Sequence, residues 1–230
     1  MHNLKHRTDA KELLDADDIP FADIRQNMQE LNTINTLLGG HAITIKGFKK
    51  LLAGSKNLRI CEIGCGGGDN LAVIYHYCKK NNIKITLIGI DIKESCIAYA
   101  KESSNIPATW ICSDYKTANL TNHPPDIIFS SLFCHHFKEA ELIFMLQWMR
   151  NNCSKGFFIN DLHRHPLAYY SIKLITGLFS RSYLVKNDAP LSVARGFTKK
   201  EWKDIFKKAE ITHINISWQW AFRHLIVYKK

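Results

Sequence analysis

The amino-acid sequence predicts an α/β fold, in which a doubly wound, mostly parallel sheet of seven strands follows two N-terminal helices. Short apolar runs alternate with segments of helical periodicity through the middle of the 230-residue chain. These runs are apolar almost without interruption, as strands covered on both faces require. The last two strand-like runs would close the sheet as an antiparallel C-terminal edge.

The composition is that of a globular protein and excludes collagen, low-complexity disorder and a small disulfide scaffold. Of the residues, 46% are hydrophobic and 23% are charged. The seven cysteines are odd in number and have no Cys-x-x-Cys spacing, so we expect reduced thiols and a cytoplasmic protein. No run of about 18 apolar residues occurs, so no membrane-spanning helix is expected. The formal charge of +10 permits an anionic partner and is explained as well by solvated lysine-rich faces.

The first 55 residues are predicted to form an N-terminal helical extension or lid, and residues 56–230 the main domain. Residues 1–18 are polar and are expected to be loosely ordered or a short helix. Apolar residues at helical spacing predict helices over 21–38 and 41–52. The pair Gly39-Gly40 ends the first helix, and Gly54-Ser55 ends the second.

The main domain alternates strands and helices, which implies right-handed crossovers between parallel strands. Strands are predicted at 58–63, 85–90, 108–112, 126–131 and 156–160, and helices at 70–80, 94–102 and 138–150. The C-terminal part is predicted as an apolar helix (166–179), an irregular stretch (181–196), a helix opened by a capping box (198–208) and two strands (211–218 and 222–228).

A glycine-rich loop, Gly64-Cys65-Gly66-Gly67-Gly68, joins the first predicted strand to the helix that follows. Glycines let a ligand approach the backbone closely and allow a tight turn. The free N–H groups at the start of the next helix would then face the ligand. A dinucleotide-binding loop needs Gly or Ala at its third position, which is Asp69 here, so a nicotinamide or flavin cofactor fits poorly.

Three carboxylates lie at or just after the ends of successive predicted strands. Glu62 precedes the first glycine by two positions, where it suits a ligand with a cationic amino group. Asp91 ends the second strand, where a carboxylate can accept from both hydroxyls of a ribose. Asp114 follows the third strand, where it could accept from an adenine amino group. Each alone is also typical of a strand end or solvated turn, but the three in this order indicate one binding site.

With these residues the sequence resembles the class I S-adenosylmethionine-dependent methyltransferases, whose sheet is Rossmann-like. Their first motif is similar to Glu62-x-Gly64-x-Gly66-x-Gly68, and Asp91, Asp114 and residues 125–130 resemble the next three. The resemblance covers roughly residues 56–230 and implies S-adenosyl-L-methionine as cofactor. It implies that the residues around the cofactor are Glu62, Gly64, Cys65, Gly66, Gly68, Asp91, Ile92, Ser113, Asp114, Tyr115, Ser130 and Ser131.

Two loops after the fourth and fifth predicted strands carry four histidines and a carboxylate. Ligands of open α/β sheets bind at this edge, and methylation of a phenol needs a base. We therefore expect His136 or His163, oriented by Asp161, to be the catalytic base. A metal site is the alternative, but neighbouring His135 and His136 are expected to point their rings apart, so no metal is predicted. The histidines could also cap helices or bind backbone carbonyls.

The acceptor is predicted from the end of the fifth strand, Asn160-Asp161-Leu162. It lacks the Asn/Asp-Pro-Pro-aromatic motif of relatives that methylate exocyclic amines of adenine. Residues 160–170 resemble bacterial small-molecule methyltransferases, some of them linked to polyketide-derived phenolic or quinone compounds. The helix predicted at 166–179 is more apolar than one buried face needs, and it could be core, a dimer face or the lining of a lipophilic pocket.

We therefore expect a methyltransferase for a small aromatic or lipophilic acceptor, acting at oxygen. An RNA methyltransferase is the alternative, because of the +10 charge and the aromatic tail with Trp218, Trp220 and Arg223. A non-catalytic regulatory module that binds S-adenosylmethionine is another. A homodimer and a peripheral membrane contact through basic residues near 173–186 also stay open.

Overall fold

The computed structural model describes residues 4–16, 18–120 and 124–230; residues 1–3 and 17, which belong to the predicted N-terminal extension, lie outside the described residues. The α-helices are α1 (Phe21–Leu37), α2 (Gly40–Leu52), α3 (Asp69–Lys80), α4 (Glu94–Ser103), α5 (Glu139–Asn152), α6 (Pro166–Phe179), α7 (Tyr183–Arg195) and α8 (Lys199–Lys208). The strands are β1 (Asn57–Ile63), β2 (Lys84–Asp91), β3 (Ala108–Cys112), β4 (Ile127–Ser131), β5 (Gly156–Leu162), β6 (Ile214–Gln219) and β7 (Arg223–Lys229). Short 3-10 helices span Leu13–Asp15 and Cys134–His136.

The seven strands form one sheet in the order β3-β2-β1-β4-β5-β7-β6. The first five strands along the chain pair in parallel, and β7 joins β5 and β6 antiparallel, which confirms the predicted fold class. The parallel register places Glu62 of β1 opposite Gly89 of β2 and Phe129 of β4. The carboxyl ends of these strands therefore meet at one edge of the sheet.

Both faces of the sheet are covered by helices, which explains why the central strands are continuously apolar. Helices α2 and α3 cover one face, where Phe48 and Leu71 are fully buried. Helices α5 and α8 cover the other, where Trp202 is fully buried. Successive side chains of β1 alternate between the two cores, so Ile60 and Cys61 are both inaccessible to solvent. Among the described helices, none combines the length and hydropathy that crossing a bilayer demands.

The prediction of an irregular stretch at 181–196 is wrong, because this segment contains α7. The Ser182 hydroxyl caps the helix by accepting from the N–H of Val185. Pro190 lies inside the helix and cannot donate to the preceding turn, which made the segment look non-helical. Tertiary contacts compensate for this loss, since the Asp188 carboxylate accepts from the backbone N–H groups of Leu13 and Leu14.

Candidate active site

A cavity of about 660 Å³ opens at the carboxyl edge of the parallel strands. One side is formed by the loops that follow β1, β2, β3 and β4, and the other by residues of α1, α6 and α7. Open α/β sheets bind their ligands at this edge, so the fold places the candidate site where the sequence analysis expected it.

The glycine loop has the backbone that its sequence indicates. Gly64, Gly66 and Gly68 have φ angles of +66°, +50° and +79°, which side chains rarely allow. A Cβ atom at Gly64 would lie 2.2 Å from the ring of Phe133, so that ring closes the wall of the cavity only because residue 64 is glycine. Gly68 caps α3 and lies outside the lining of the cavity, whereas Gly64, Cys65 and Gly66 are part of it.

Asp91 connects the glycine loop to the end of β2. Its Oδ2 accepts from the N–H of Gly66 at 2.9 Å, and its Oδ1 accepts from the N–H of Lys93 at 2.9 Å. Burial raises the pKa of Asp91 even though these two hydrogen bonds favour the charged form. Asp91 thus holds the loop in place and also lines the cavity, next to the exposed Ile92.

Glu62 is 1% exposed and has an unpaired oxygen atom. Its Oε1 accepts from Nδ2 of Asn70 at 3.2 Å, whereas its Oε2 is buried without a hydrogen-bond partner. Burial raises the pKa of Glu62 well above its usual range. An ammonium group in the cavity would supply the missing donor, and this atom fits the amino group of S-adenosylmethionine.

The end of β3 contributes three neighbouring residues to the same cavity, Ser113, Asp114 and Tyr115. Asp114 is half-exposed, and its Oδ1 accepts from the N–H of Lys116 at 3.0 Å. Tyr115 is buried, and its hydroxyl has no hydrogen-bond partner. Glu62, Asp91 and Asp114 therefore lie around one cavity, and their roles toward the cofactor stay predictions.

The two serines that end β4 face different environments. Ser131 lines the cavity, and its hydroxyl lies 3.3 Å from Nδ2 of Asn160. Ser130 is fully buried on the other face, 3.4 Å from Sγ of Cys134, and does not reach the cavity. Their positions differ because successive side chains of a strand alternate.

Asp161 has a different partner from the one expected. Its Oδ1 lies 2.8 Å from Nδ1 of His135, and its Oδ2 accepts from the N–H of the same residue at 3.3 Å. Burial would raise the pKa of Asp161, but the charge and hydrogen bond of His135 lower it. The expectation that Asp161 orients His136 or His163 is therefore wrong, since the 3-10 helix after β4 presents His135 to the end of β5.

His163 lies away from the cavity lining, in a cluster with His165, Phe222 and His224. Burial, with repulsion from His165 and Arg164, lowers the pKa of His163. Asp161 is also outside the lining, whereas His136 is part of it. Of the three predicted catalytic residues, only His136 borders the space where a substrate could lie.

His136 is 24% exposed and faces two carboxylates of the N-terminal segment. Its Nδ1 lies 3.4 Å from Oδ1 of Asp15, and its Nε2 lies 3.8 Å from Oε2 of Glu12. Burial alone would raise the pKa of Asp15, but the hydrogen bond and charge of His136 lower it to about 2. Glu12 and Asp15 also line the cavity, and the sequence analysis missed both because no motif marks this segment.

The N-terminal segment is attached to the histidine loop by two arginines. Arg195 of α7 donates from Nε and Nη2 to the carbonyls of His135 and His136, and from Nη1 to the carbonyl of Ala10. Arg7 donates to the carbonyls of Arg195 and Phe137. These hydrogen bonds hold Glu12 and Asp15 beside the histidines.

The expectation that the rings of His135 and His136 point apart is also wrong. Their centroids lie 4.5 Å apart, and both rings face Glu12. Donor atoms of these three residues lie within 4.8 Å of one another, a spacing that could hold a divalent cation. Glu12 already has other partners, however, since its Oε1 accepts from Ser192 at 2.7 Å and lies 3.9 Å from the Arg195 guanidinium.

The opposite side of the cavity is mainly apolar and is built from helices. Helix α6 contributes its inner face, while its outer face exposes Leu174 and Phe179 to solvent. The apolar lining residues of the three helices are Met28, Leu31 and Ile34 of α1, Ala168, Ile172 and Ile175 of α6, and Ala189 and Val193 of α7.

Comparison with known proteins identifies the domain. Residues 60–156 match a protein family described as a methyltransferase domain. A search of curated protein sequences finds no match to the chain.

Solved structures show the same fold. The plantazolicin methyltransferase BpumL in complex with SAH has a TM-score of 0.62 and 23% identity, over 86% of this chain and 73% of that chain. The magnesium protoporphyrin IX methyltransferase ChlM from Synechocystis PCC 6803 with bound SAM has a TM-score of 0.56 and 12% identity, over 86% of this chain and 83% of that chain. At these identities the likeness concerns the fold.

Proposed function

Because residues 60–156 match a methyltransferase domain and the chain has the fold of solved methyltransferases, we propose that it methylates an oxygen atom of a small aromatic or lipophilic acceptor with S-adenosylmethionine as the methyl donor. The observation that carries the proposal is the continuity of the cavity. It runs from the carboxylates at the strand ends to the apolar faces of α1, α6 and α7. One space thus offers a polar half to a nucleoside and an apolar half to an acceptor.

The polar half of the cavity fits the cofactor. When bound, S-adenosylmethionine supplies an electrophilic methyl group for in-line displacement, and the protein contributes orientation. We assign Glu62 to the ammonium because its buried Oε2 lacks a donor. We assign Asp91 to the ribose hydroxyls, and Asp114 with Tyr115 to the adenine, because they line the same cavity at the ends of neighbouring strands.

The apolar half of the cavity supports a lipophilic or aromatic acceptor. Its walls come from aliphatic side chains such as Ile34 and Ile172, with Phe133 and Phe222 beside them. Transfer of an apolar ligand from water to such a surface is favoured by about 25 cal/mol per Å² of buried area. An extended nucleic acid would gain little from these walls, so they favour a small molecule over RNA.

We assign the role of general base to His136, with Asp15 as its orienting carboxylate. Asp15, with its lowered pKa, is ionised at neutral pH and accepts from Nδ1–H of the ring. The lone pair of Nε2 is then available to take the proton of an acceptor hydroxyl. The pair of Asp161 and His135 acts through position, because it fixes the 3-10 helix that carries His136.

The proposal is tested by methyl transfer to 3-pentylphenol and to 3-pentylaniline, which differ only in the nucleophilic atom. We expect the phenol to be converted to its methyl ether and the aniline to react more slowly. The variant His136→Gln should lower kcat by about 100-fold or more, the usual contribution of a general base, while SAH binds within twofold of the wild type.

The exposed His76 on α3 provides the control, since His76→Gln removes a histidine far from the cavity. The proposal would be abandoned if His136→Gln retained full kcat, or if the aniline alone were methylated.

A further inference from the structure

Arg223 is the first residue of β7. Among the residues that the structure describes, none forms a hydrogen bond with its guanidinium at Nε or Nη1. The residue is 3% exposed and lines the cavity. Its Nε and Nη1 atoms are buried and have no hydrogen-bond partner. Burial lowers the pKa of Arg223 to about 10, so the guanidinium is still charged at neutral pH. An unpaired buried charge costs several kcal/mol, so its presence in a ligand cavity needs an explanation.

The neighbouring polar groups do not neutralise this charge. Among the residues that the structure describes, Asp161 is the only carboxylate with a notable electrostatic effect on the guanidinium. That carboxylate is already engaged, since it accepts from His135 and from the N–H of Leu162 at 2.7 Å. The amide oxygen of Asn35 borders the same corner but accepts no hydrogen bond.

The fold leaves room for the guanidinium at this corner. A Cβ atom at Gly40 would lie 2.8 Å from Nη1 of Arg223, so a larger residue at the start of α2 would displace the side chain. By contrast, Arg195, which also lies in the interior near the cavity, has its donors satisfied by backbone carbonyls. Arg223 is therefore placed with its donors free.

The position of Arg223 assigns it to the acceptor half of the cavity. It pairs with Leu162 at the end of β5, and β5 is separated from β1 by β4. Three strand spacings place it about 14 Å from the strand that carries Glu62. Its neighbour Phe222 packs against the apolar cluster of α6 and α7 that includes Ile172 and Val193.

We propose that Arg223 binds an oxyanion of the acceptor, so that the acceptor is an acid with an apolar body, such as an aromatic carboxylate. This inference rests on the proposed function and deepens it by adding a charge to the acceptor. The guanidinium matches a carboxylate with parallel N–H donors, and such charge-assisted hydrogen bonds are strongest where water is excluded. The apolar walls then hold the remainder of the molecule.

Binding of two probes to the SAH-loaded protein tests the inference without requiring turnover. The probes are 2-naphthoate and 2-naphthamide, which share shape and differ in charge. We expect calorimetry at pH 7.5 to show 2-naphthoate binding at least 10-fold more tightly than 2-naphthamide. Equal affinities, or binding of neither probe, would overturn the inference.

Three variants test whether Arg223 causes the preference for 2-naphthoate over 2-naphthamide. Arg223→Met should reduce it to twofold or less, and Arg223→Lys should retain part of it because the charge remains. Arg25→Met is the matched control, since it removes a surface arginine paired with Glu102, and it should leave the preference unchanged. If Arg223→Met does not fold, the comparison of the two probes on the wild type still decides.

The cofactor also has a carboxylate, and the same variants separate the two sources of the oxyanion. If Arg223 instead bound the methionine carboxylate of the cofactor, Arg223→Met would weaken SAH binding by 10-fold or more and leave the preference for 2-naphthoate intact. That result would overturn the inference. A protein that prefers 2-naphthoate but forms no methyl ether from phenols would contradict the proposed O-methylation and not the anion site.

Discussion

At the scale of single residues, unpaired polar atoms of Glu62 and Arg223 border the cavity. Oε2 of Glu62 is a buried acceptor without a donor, and Nε and Nη1 of Arg223 are buried donors without an acceptor. Both residues line the cavity, so a bound ligand can supply the partners that buried polar groups normally have. Burial raises the pKa of Glu62, and the ammonium of the cofactor would favour its charged form, whereas the Arg223 guanidinium suits an anionic group of the acceptor.

Asp91→Ala should weaken SAH binding by about 10- to 100-fold, because a carboxylate that accepts hydrogen bonds is worth roughly 1.5–3 kcal/mol. The substitution also frees the N–H of Gly66, which Asp91 holds. Titration calorimetry measures the change. Asp126→Ala is the control, since Asp126 accepts from Arg59 at the other end of β1.

Titration calorimetry of His163→Ala with SAH tests the assignment of Asp91 to the cofactor. His163 lies outside the cavity lining, so its loss should change SAH affinity by less than twofold. A larger loss for His163→Ala than for Asp91→Ala would contradict the role given to Asp91.

At the scale of secondary-structure elements, helix α7 shapes the site although the sequence did not predict a helix there. It supplies Arg195 to the histidine loop and Asp188 to the N-terminal segment. Its stability therefore decides whether Glu12 and Asp15 stay beside His136.

Ser182→Ala should destabilise the protein by about 1 kcal/mol, since the hydroxyl caps α7 and a lost N-cap costs roughly 0.5–2 kcal/mol. For a chain of this size that corresponds to a decrease in Tm of about 2–4 °C, measurable by thermal denaturation. Ser103→Ala is the control, because the Ser103 hydroxyl bonds to the preceding turn of α4 and caps no helix. An unchanged Tm for Ser182→Ala would show that tertiary contacts alone hold α7.

The elements that could be predicted are those in which local pattern and tertiary packing agree. Strand β3 and helix α6 have the predicted bounds, because a buried apolar run and a proline at the first helical position are local signals. Helix α7 could not be predicted, because Pro190 argues locally against a helix that distant contacts stabilise. Propensity is a weak prior where such contacts exist.

The residues of the candidate site also fall into those that could be predicted from the sequence and those that could not. Glu62 and Asp91 lie at the carboxyl ends of β1 and β2, and Asp114 lies two residues after β3, so topology alone brings them to one cavity. Glu12 and Asp15 reach it through hydrogen bonds of Arg7 and Arg195 to carbonyl groups, and such bonds leave no pattern in the sequence.

At the scale of the whole molecule, the stability of the fold should depend on buried histidines. His224 on β7 is 2% exposed, and burial, with repulsion from His163, lowers its pKa from 6.5 to about 4. The folded state therefore favours the neutral ring. This contribution to stability is present above pH 6.5 and is lost as the pH falls toward 4.

Urea denaturation at pH 7 and pH 5 tests this dependence. The free energy of unfolding should fall between the two values, and the contribution of His224 has an upper limit of about 3 kcal/mol over the full window. His224→Leu should reduce the difference between the two pH values, and His76→Gln should leave it unchanged. A difference that is the same in all three proteins would assign the effect to other groups, such as Glu12 or Asp69.

The two halves of the cavity are built from different layers of the molecule. The donor half consists of loops that follow the central strands, and some of its residues, such as Gly64, cannot be replaced without displacing a neighbouring side chain. Most of the acceptor half consists of side chains on α1, α6 and α7, which lie beside the sheet, and strand β7 adds Arg223. Substitutions at Ile172 or Val193 could therefore change which acceptor is methylated during evolution, while the residues that bind the methyl donor stay the same.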